Sequence, residues 1–143
     1  MNMDSKELPS KYSQLRVLIV EDNAVDRELL KSHLENFGFE NIQEAKNGRE
    51  GILKIDNSLS FRKPFHLLIT DWKMPEKDGL SMIKHVRLDK ALDQMRVIML
   101  TSVSEKKEVK AALHEGIDDF ILKPIDPQLL LKKIENLAGK LAA

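Results

Sequence analysis

Four apolar runs in this chain each stop at a polar side chain suited to phosphate or metal. Val17-Leu18-Ile19-Val20 runs into Glu21 and Asp22, and Phe65-His66-Leu67-Leu68-Ile69-Thr70 closes on Asp71. Val97-Ile98-Met99-Leu100 is followed by Thr101, and Phe120-Ile121-Leu122 by Lys123 and Pro124. In chain order the set reads acid pair, acid, hydroxyl, lysine. Carboxylates brought to one place repel each other, which raises the proton affinity of at least one. A divalent cation relieves that repulsion, and oxygen donors with no His or Cys beside them suit Mg2+ rather than zinc. The plainer reading makes Glu21 and Asp22 caps of the next helix. A cap alone calls for neither a second acid nor a third at another strand end. Asp71 is then a candidate nucleophile, because carboxylates form acyl phosphates. Phosphoryl transfer asks chiefly for alignment and charge neutralisation. Mg2+ and the Lys123 ammonium would neutralise the phosphoryl oxygens, and Thr101 would donate a hydrogen bond to one of them. Most lysines are merely solvated, but Pro124 fixes the backbone beside this one, with a cis bond open to it, and would aim it.

Those groups need strands to carry them and helices to bury the strands. The chain has 143 residues, which suits one domain, and 42% apolar with 32% charged residues allows a core under a solvated surface. Lys plus Arg and Asp plus Glu balance at 23 each, so no global field argues for direct nucleic-acid binding. The absence of cysteine excludes disulfides and thiolate metal sites. Residues 1–14 lack the apolar core of a secretory signal, and no run approaches the ~20 apolar residues that span a bilayer. A cytoplasmic domain without membrane contact is expected, with a loose leader at 1–14 and the folded domain at 15–143. Strands are expected at 16–20, 41–45, 66–70, 96–100 and 119–122. Helices are expected at about 22–37, 49–55, 80–87, 106–115 and 127–141. Val25, Leu29, Leu34 and Phe37 have helical spacing, and Gly38 is placed to end their helix. Residues 56–64 read as a polar connection, long for its kind. Ser104 is a candidate N-cap for the fourth helix. The buried runs are continuous rather than alternating, the mark of parallel strands covered on both faces. Such α/β sheets bind ligands beyond the carboxyl ends of their strands, where every residue of the opening set lies.

Val-Glu-Asp-Asn at 20–23, Glu-Ala-Lys-Asn-Gly at 44–48, Asp71-Trp72-Lys73-Met74-Pro75 with Asp78-Gly79, Thr101-Ser102 and Lys123-Pro124 together form a recognisable pattern. It resembles the receiver domain of two-component response regulators, of the chemotaxis-regulator-like kind, over nearly all of residues 15–141. The resemblance implies a doubly wound (βα)5 three-layer sandwich with a parallel sheet in the order 2-1-3-4-5. It implies that Asp71 takes a phosphoryl group from a phosphohistidine on a sensor histidine kinase or a histidine phosphotransfer protein. Glu21, Asp22, Asp71 and the Lys73 carbonyl would hold Mg2+. Thr101 would be the switch hydroxyl, Lys123 the phosphate-binding lysine and Phe120 the aromatic switch. The domain would catalyse its own phosphorylation and dephosphorylation, yet act as a signalling switch whose output partner binds the face of the fourth helix, fifth strand and fifth helix. Ser102, Lys77, Ile117 and Ile125 depart from the commonest family pattern without removing a chemical group.

Two other classes compete. An aspartyl-phosphate phosphohydrolase also uses a strand-end Asp with Mg2+, but needs a second acid two residues on, where this chain has Lys73. A docking module whose carboxylates never turn over would not call for the acid pair, Thr101 and Lys123 together. His33, His66, His85 and His114 fall on different elements without metal-ligand spacing, so structural or surface roles are expected for them.

Overall fold

The computed structural model describes residues 11–72, 74, 78–102 and 106–141. Strands β1 (Arg16–Val20), β2 (Asn41–Ala45), β3 (Leu67–Asp71), β4 (Arg96–Thr101) and β5 (Asp119–Leu122) form one sheet, ordered β2-β1-β3-β4-β5. All four pairings are parallel, with Val17 opposite Leu67 and Ile98 opposite Asp119. Helices α1 (Ala24–Phe37), α2 (Gly48–Ser60), α3 (Gly79–Leu88), α4 (Lys106–Glu115) and α5 (Pro127–Leu141) connect and follow the strands. The doubly wound architecture and strand order expected from the sequence are therefore present.

Side-chain alternation along each strand divides the core in two. Val17, Ile19, Leu67, Ile69, Ile98 and Leu100 pack with Leu30 and Leu34 of α1 and Leu130 and Ile134 of α5. Leu18, Val20, Leu68, Val97 and Met99 pack on the opposite face with Ile55 of α2, Met82 and Val86 of α3 and Ala112 of α4. With helices on both faces, the strand centres have no solvated side, which is why their runs are continuously apolar.

Local chemistry sets the helix ends. Asn23 accepts the Asp26 N–H and starts α1; Gly38, at φ 106°, ends it by donating to the Glu35 and Leu34 carbonyls. Asn47 and Asp78 start α2 and α3 in the same way, through Glu50 N–H and Ser81 N–H. At the far end of the sheet, Arg87 donates to the Gly116 and Leu92 carbonyls and pairs with Asp118, which also binds Arg96. The Ser104 expected to cap α4 lies outside the described residues.

Three expectations need correction. Val25 and Leu29 are exposed, at 76% and 54%, while Leu30 and Leu34 are buried. The inward stripe of α1 is 30, 34 and 37, and the second stripe faces outward. The expected connection at 56–64 is mostly helix, because α2 continues to Ser60. Buried Ser58 sends its hydroxyl back to the Ile55 carbonyl, and Leu59 packs against the core. The expected leader is trimmed: residues 11–14 form a turn in which Tyr12 is buried and stacks on Phe39, ring centroids 4.8 Å apart. A short 3-10 turn at Lys90–Leu92 was not anticipated. Among the described residues, no helix is long and apolar enough to cross a membrane.

Candidate functional site

The carboxyl ends of β1, β3, β4 and β5 bring Glu21, Asp22, Asp71, Thr101 and Lys123 together. Glu21 follows β1, with its N–H on the Ala45 carbonyl of β2 and its side chain buried. Its Oε2 accepts the Asn23 N–H at 3.0 Å. Asp22, next along, is exposed. Asp71 is the last residue of β3 and is 8% exposed; its Oδ1 accepts the Trp72 N–H at 2.8 Å. Thr101 ends β4 and is buried. The Lys123 N–H donates to the Thr101 carbonyl, tying hydroxyl and lysine through the main chain. The Lys123–Pro124 bond is cis.

The Lys123 ammonium lies between the two buried acids, 2.7 Å from Glu21 Oε1 and 2.9 Å from Asp71 Oδ2. Carboxylate oxygens of Glu21, Asp22 and Asp71 fall within 4.8 Å of one another. Three carboxylates and one ammonium leave a formal charge of minus two when all are ionised, which a divalent cation balances. Burial pushes the Glu21 carboxyl up to about 7, against the lowering effect of its bonds from Lys123 and Asn23. Burial works to lower Lys123, but the hydrogen bonds to Glu21 and Asp71 outweigh it, so the ammonium is held above its ordinary value. The lysine is thus firmly charged, while Glu21 is balanced between desolvation and its partners. An all-oxygen, net-negative cluster without nitrogen or sulfur donors fits a hard divalent ion.

These placements decide the question of capping. Asn23, not Asp22, accepts from the first turn of α1, and Asp22 makes no hydrogen bond among the described residues. Asp22 is therefore not spent on capping α1, while Glu21 is engaged by Lys123 and the Asn23 N–H. Lys73, expected to offer its carbonyl, lies outside the described residues. Phe120 is half-buried on β5, with the Lys133 ammonium of α5 5.3 Å from its ring centroid. The histidines do not gather: His66 Nδ1 accepts the Arg16 N–H, and His85 pairs with Asp56 across α2 and α3.

Arg27 was not anticipated. Its Nη1 donates to the Glu21 carbonyl at 2.7 Å, and its Nε lies 3.4 Å from Glu44 on β2. A signal existed: Arg27 stands three and seven residues before Leu30 and Leu34, on the buried face of α1 where the helix meets the sheet end. Between α1 and the segment after β5 runs a groove of about 310 Å³, lined by Glu21, Leu29, His33, Lys123 and Ile125 among others.

Residues 17–135 match the family described as the response regulator receiver domain. The chain belongs to that family. It is 37% identical over 125 residues to chemotaxis protein CheY1 of Helicobacter pylori, covering 87% of this chain and 98% of that protein. Its structure is similar to the signal receiver domain of a signal transduction histidine kinase from Syntrophus aciditrophicus. That match has a TM-score of 0.74 at 35% identity, and covers 87% of this chain and 89% of the other. It is also similar to a chain of the CheX–CheY–BeF3–Mg complex from Borrelia burgdorferi, with TM-score 0.75 and 28% identity, covering 86% and 88%. This receiver has the family fold, and Glu21, Asp22, Asp71, Thr101 and Lys123 are gathered at one end of its sheet.

Proposed function

We propose that this receiver is a phosphorylation switch in which Asp71 is the acceptor. The observation that carries the reading is the Lys123 ammonium within hydrogen-bond distance of both Glu21 and Asp71, residues far apart in sequence. A structural domain gains little from a buried acid pair bridged by a lysine, because desolvation offsets most of the attraction. A site that handles phosphate gains a fixed cation beside its nucleophile.

In the proposed reaction a carboxylate oxygen of Asp71 attacks the phosphorus of a partner's phosphohistidine. The new O–P bond forms as the P–N bond breaks, and the imidazole leaves with the electron pair. Lys123 takes up negative charge on the phosphoryl oxygens, and Thr101 donates a hydrogen bond to one of them. Glu21, Asp22 and Asp71 would hold Mg2+, with the Lys73 carbonyl expected to join them. The bound ion would neutralise charge on the transferred group. Hydrolysis of the acyl phosphate by water returns the free carboxylate, so the domain promotes both steps on itself while acting as a switch.

Exposed Leu29 lines the groove that runs to Lys123, and exposed Val25 lies one turn earlier on the same helix, giving a donor protein an apolar surface near the acid cluster. The output surface is the face of α4, β5 and α5, where Leu113, Leu122 and Leu129 are exposed and Phe120 is half-buried. Thr101 drawn towards the phosphoryl group would leave space for Phe120, a change worth the few kcal/mol that such a population shift needs. The setting is the cytoplasm, with proteins rather than nucleic acid or membrane as direct partners.

Asp71→Asn tests this reading, because it preserves shape while removing the nucleophile. Wild type incubated with a small acyl phosphate and Mg2+ should gain one phosphoryl group by intact mass, and the variant none. An equal gain in the variant would place the acceptor elsewhere.

A further inference from the structure

Arg27 touches the backbone of the acid pair rather than its carboxylates. Its Nη1 donates to the Glu21 carbonyl at 2.7 Å, and its own N–H bonds the Asn23 carbonyl at 2.9 Å. The guanidinium is braced from β2 by Glu44, whose other oxygen is 3.3 Å from Lys31. Glu44 immediately precedes Ala45, and the Ala45 carbonyl receives the Glu21 N–H. Glu21 is therefore held at its N–H by β2 and at its carbonyl by Arg27, itself anchored to β2.

This matters most for the next residue. The peptide unit is planar, so fixing the Glu21 carbonyl also fixes the Asp22 N–H and limits the direction of the Asp22 side chain. Asp22 needs such help. It is exposed, and its carboxylate makes no hydrogen bond among the described residues, unlike Glu21 and Asp71.

Building on the metal-dependent reading above, we propose that Arg27 is a positioning residue for the metal site. Braced by Glu44, it sets the plane of the Glu21–Asp22 peptide and so aims Asp22 at the place shared with Glu21 and Asp71.

The sign of the effect separates positioning from charge. Arg27 is a cation near a cation site, so Coulomb's law alone says that removing it should tighten Mg2+ binding. Positioning says that removal should weaken it. Lys31 is the control, a cation one helical turn further along that contacts Glu44 but not the Glu21 carbonyl.

The experiment is a Mg2+ titration of the full chain, followed by fluorescence of Trp72, the single tryptophan, and by Mg2+-dependent thermal stabilisation. Arg27→Met should raise the Mg2+ Kd about tenfold, as loss of an outer-shell partner does. Arg27→Lys keeps the charge but not the forked donor, and should also weaken binding, by less. Lys31→Met should stay within about twofold of wild type. Phosphorylation by a small acyl phosphate should recover in Arg27→Met at saturating Mg2+, because the defect lies in affinity. Unchanged or tighter binding in Arg27→Met would overturn the proposal, as would equal weakening in Lys31→Met. Should Arg27→Met lose cooperative unfolding, Arg27→Lys decides, and a wild-type Kd there overturns it. A wild type silent to Mg2+ in both readouts would remove the metal-dependent reading itself, and this proposal with it.

Discussion

Gly79→Ala adds one carbon where α3 meets the end of β3, and its cost follows from the backbone. The added Cβ would stand 2.4 Å from the Asp71 carbonyl oxygen, 3.2 Å from Trp72 Cα and 3.3 Å from the Trp72 oxygen. Ordinary contacts lie near roughly 3.5 Å, so the worst overlap is about 1 Å. It falls on main chain, which cannot rotate aside. Nor can α3 retreat freely, because the Gly79 N–H donates to the Trp72 carbonyl at 2.8 Å. Overpacking of this kind costs about 1–3 kcal/mol, and a weakened hydrogen bond adds about 1 kcal/mol. Against that, Ala gains roughly 1 kcal/mol from helix propensity and a less flexible unfolded chain. The net loss should be about 2 kcal/mol, or a Tm lower by about 4–8 °C for a chain of this size. Gly51→Ala is the matched control. Its Cβ would meet Met82 Sδ at 2.8 Å and Val20 Cγ2 at 3.1 Å, side chains rather than main chain, and should cost about 1 kcal/mol, less than Gly79→Ala. Urea unfolding of both variants reads the difference, provided m is unchanged. Gly79→Ala should also be phosphorylated more slowly, since the strained atom belongs to Asp71. Equal stability of Gly79→Ala and Gly51→Ala would refute the reasoning.

Asp22→Ala should weaken Mg2+ binding strongly and Glu21→Ala measurably, by Trp72 fluorescence; unchanged affinity in both would remove these acids from the site. Folding favours the neutral form of His66: its pKa is lowered by burial and by Arg16, while its Nδ1 accepts the Arg16 N–H. The unfolded chain then binds the extra proton more readily, so this contribution is present above about pH 6.5 and is lost as pH falls towards the lowered folded value. Glu21, raised by burial, acts in the opposite sense, so the readout is the difference in urea midpoint between wild type and His66→Gln from pH 7.5 to 5.5. Wild type should lose more than the variant; parallel curves would show that the His66 pKa is not lowered by folding.

The parts of the fold legible in the sequence were those where one local signal decides. Strand β2 and helix α4 fall where their patterns placed them, and Asp119–Leu122 is bounded by Gly116 before it and Lys123-Pro124 after it. The placement of Glu21, Asp71, Thr101 and Lys123 was legible for the same reason, since each closes a continuous buried run and so falls at a strand end. The illegible parts depend on contacts between distant segments. Helix α1 carries two apolar stripes, and periodicity cannot tell Val25 and Leu29 from Leu30 and Leu34 until the sheet chooses one. Residues 56–60 are poor helix formers by composition, and they stay helical because Ser58 and Leu59 are packed. Arg27 escaped notice because its partner on the acid pair is a carbonyl, and main-chain acceptors leave no mark on residue type.

Topology explains why the acids meet where they do. From β1 the chain leaves through α1 towards β2, and from β3 through α3 towards β4, on opposite sides of the sheet centre. The connections at the carboxyl ends of β1 and β3 therefore diverge, and a crevice opens between neighbouring strands. Glu21 and Asp22 stand on one side of it and Asp71 on the other, with Thr101 on the next strand. Lys123, beyond β5, bonds the Thr101 carbonyl and places its ammonium on both Glu21 and Asp71. It thus links the β1 side of the crevice to the β4–β5 edge through one ion-pair network. On the phosphorylation reading, new charge on Asp71 competes with Glu21 for that ammonium. The competition would fall on a residue whose main chain is tied to Thr101, three positions after Phe120, and on that reading it would carry a chemical change in the crevice towards the β5 edge.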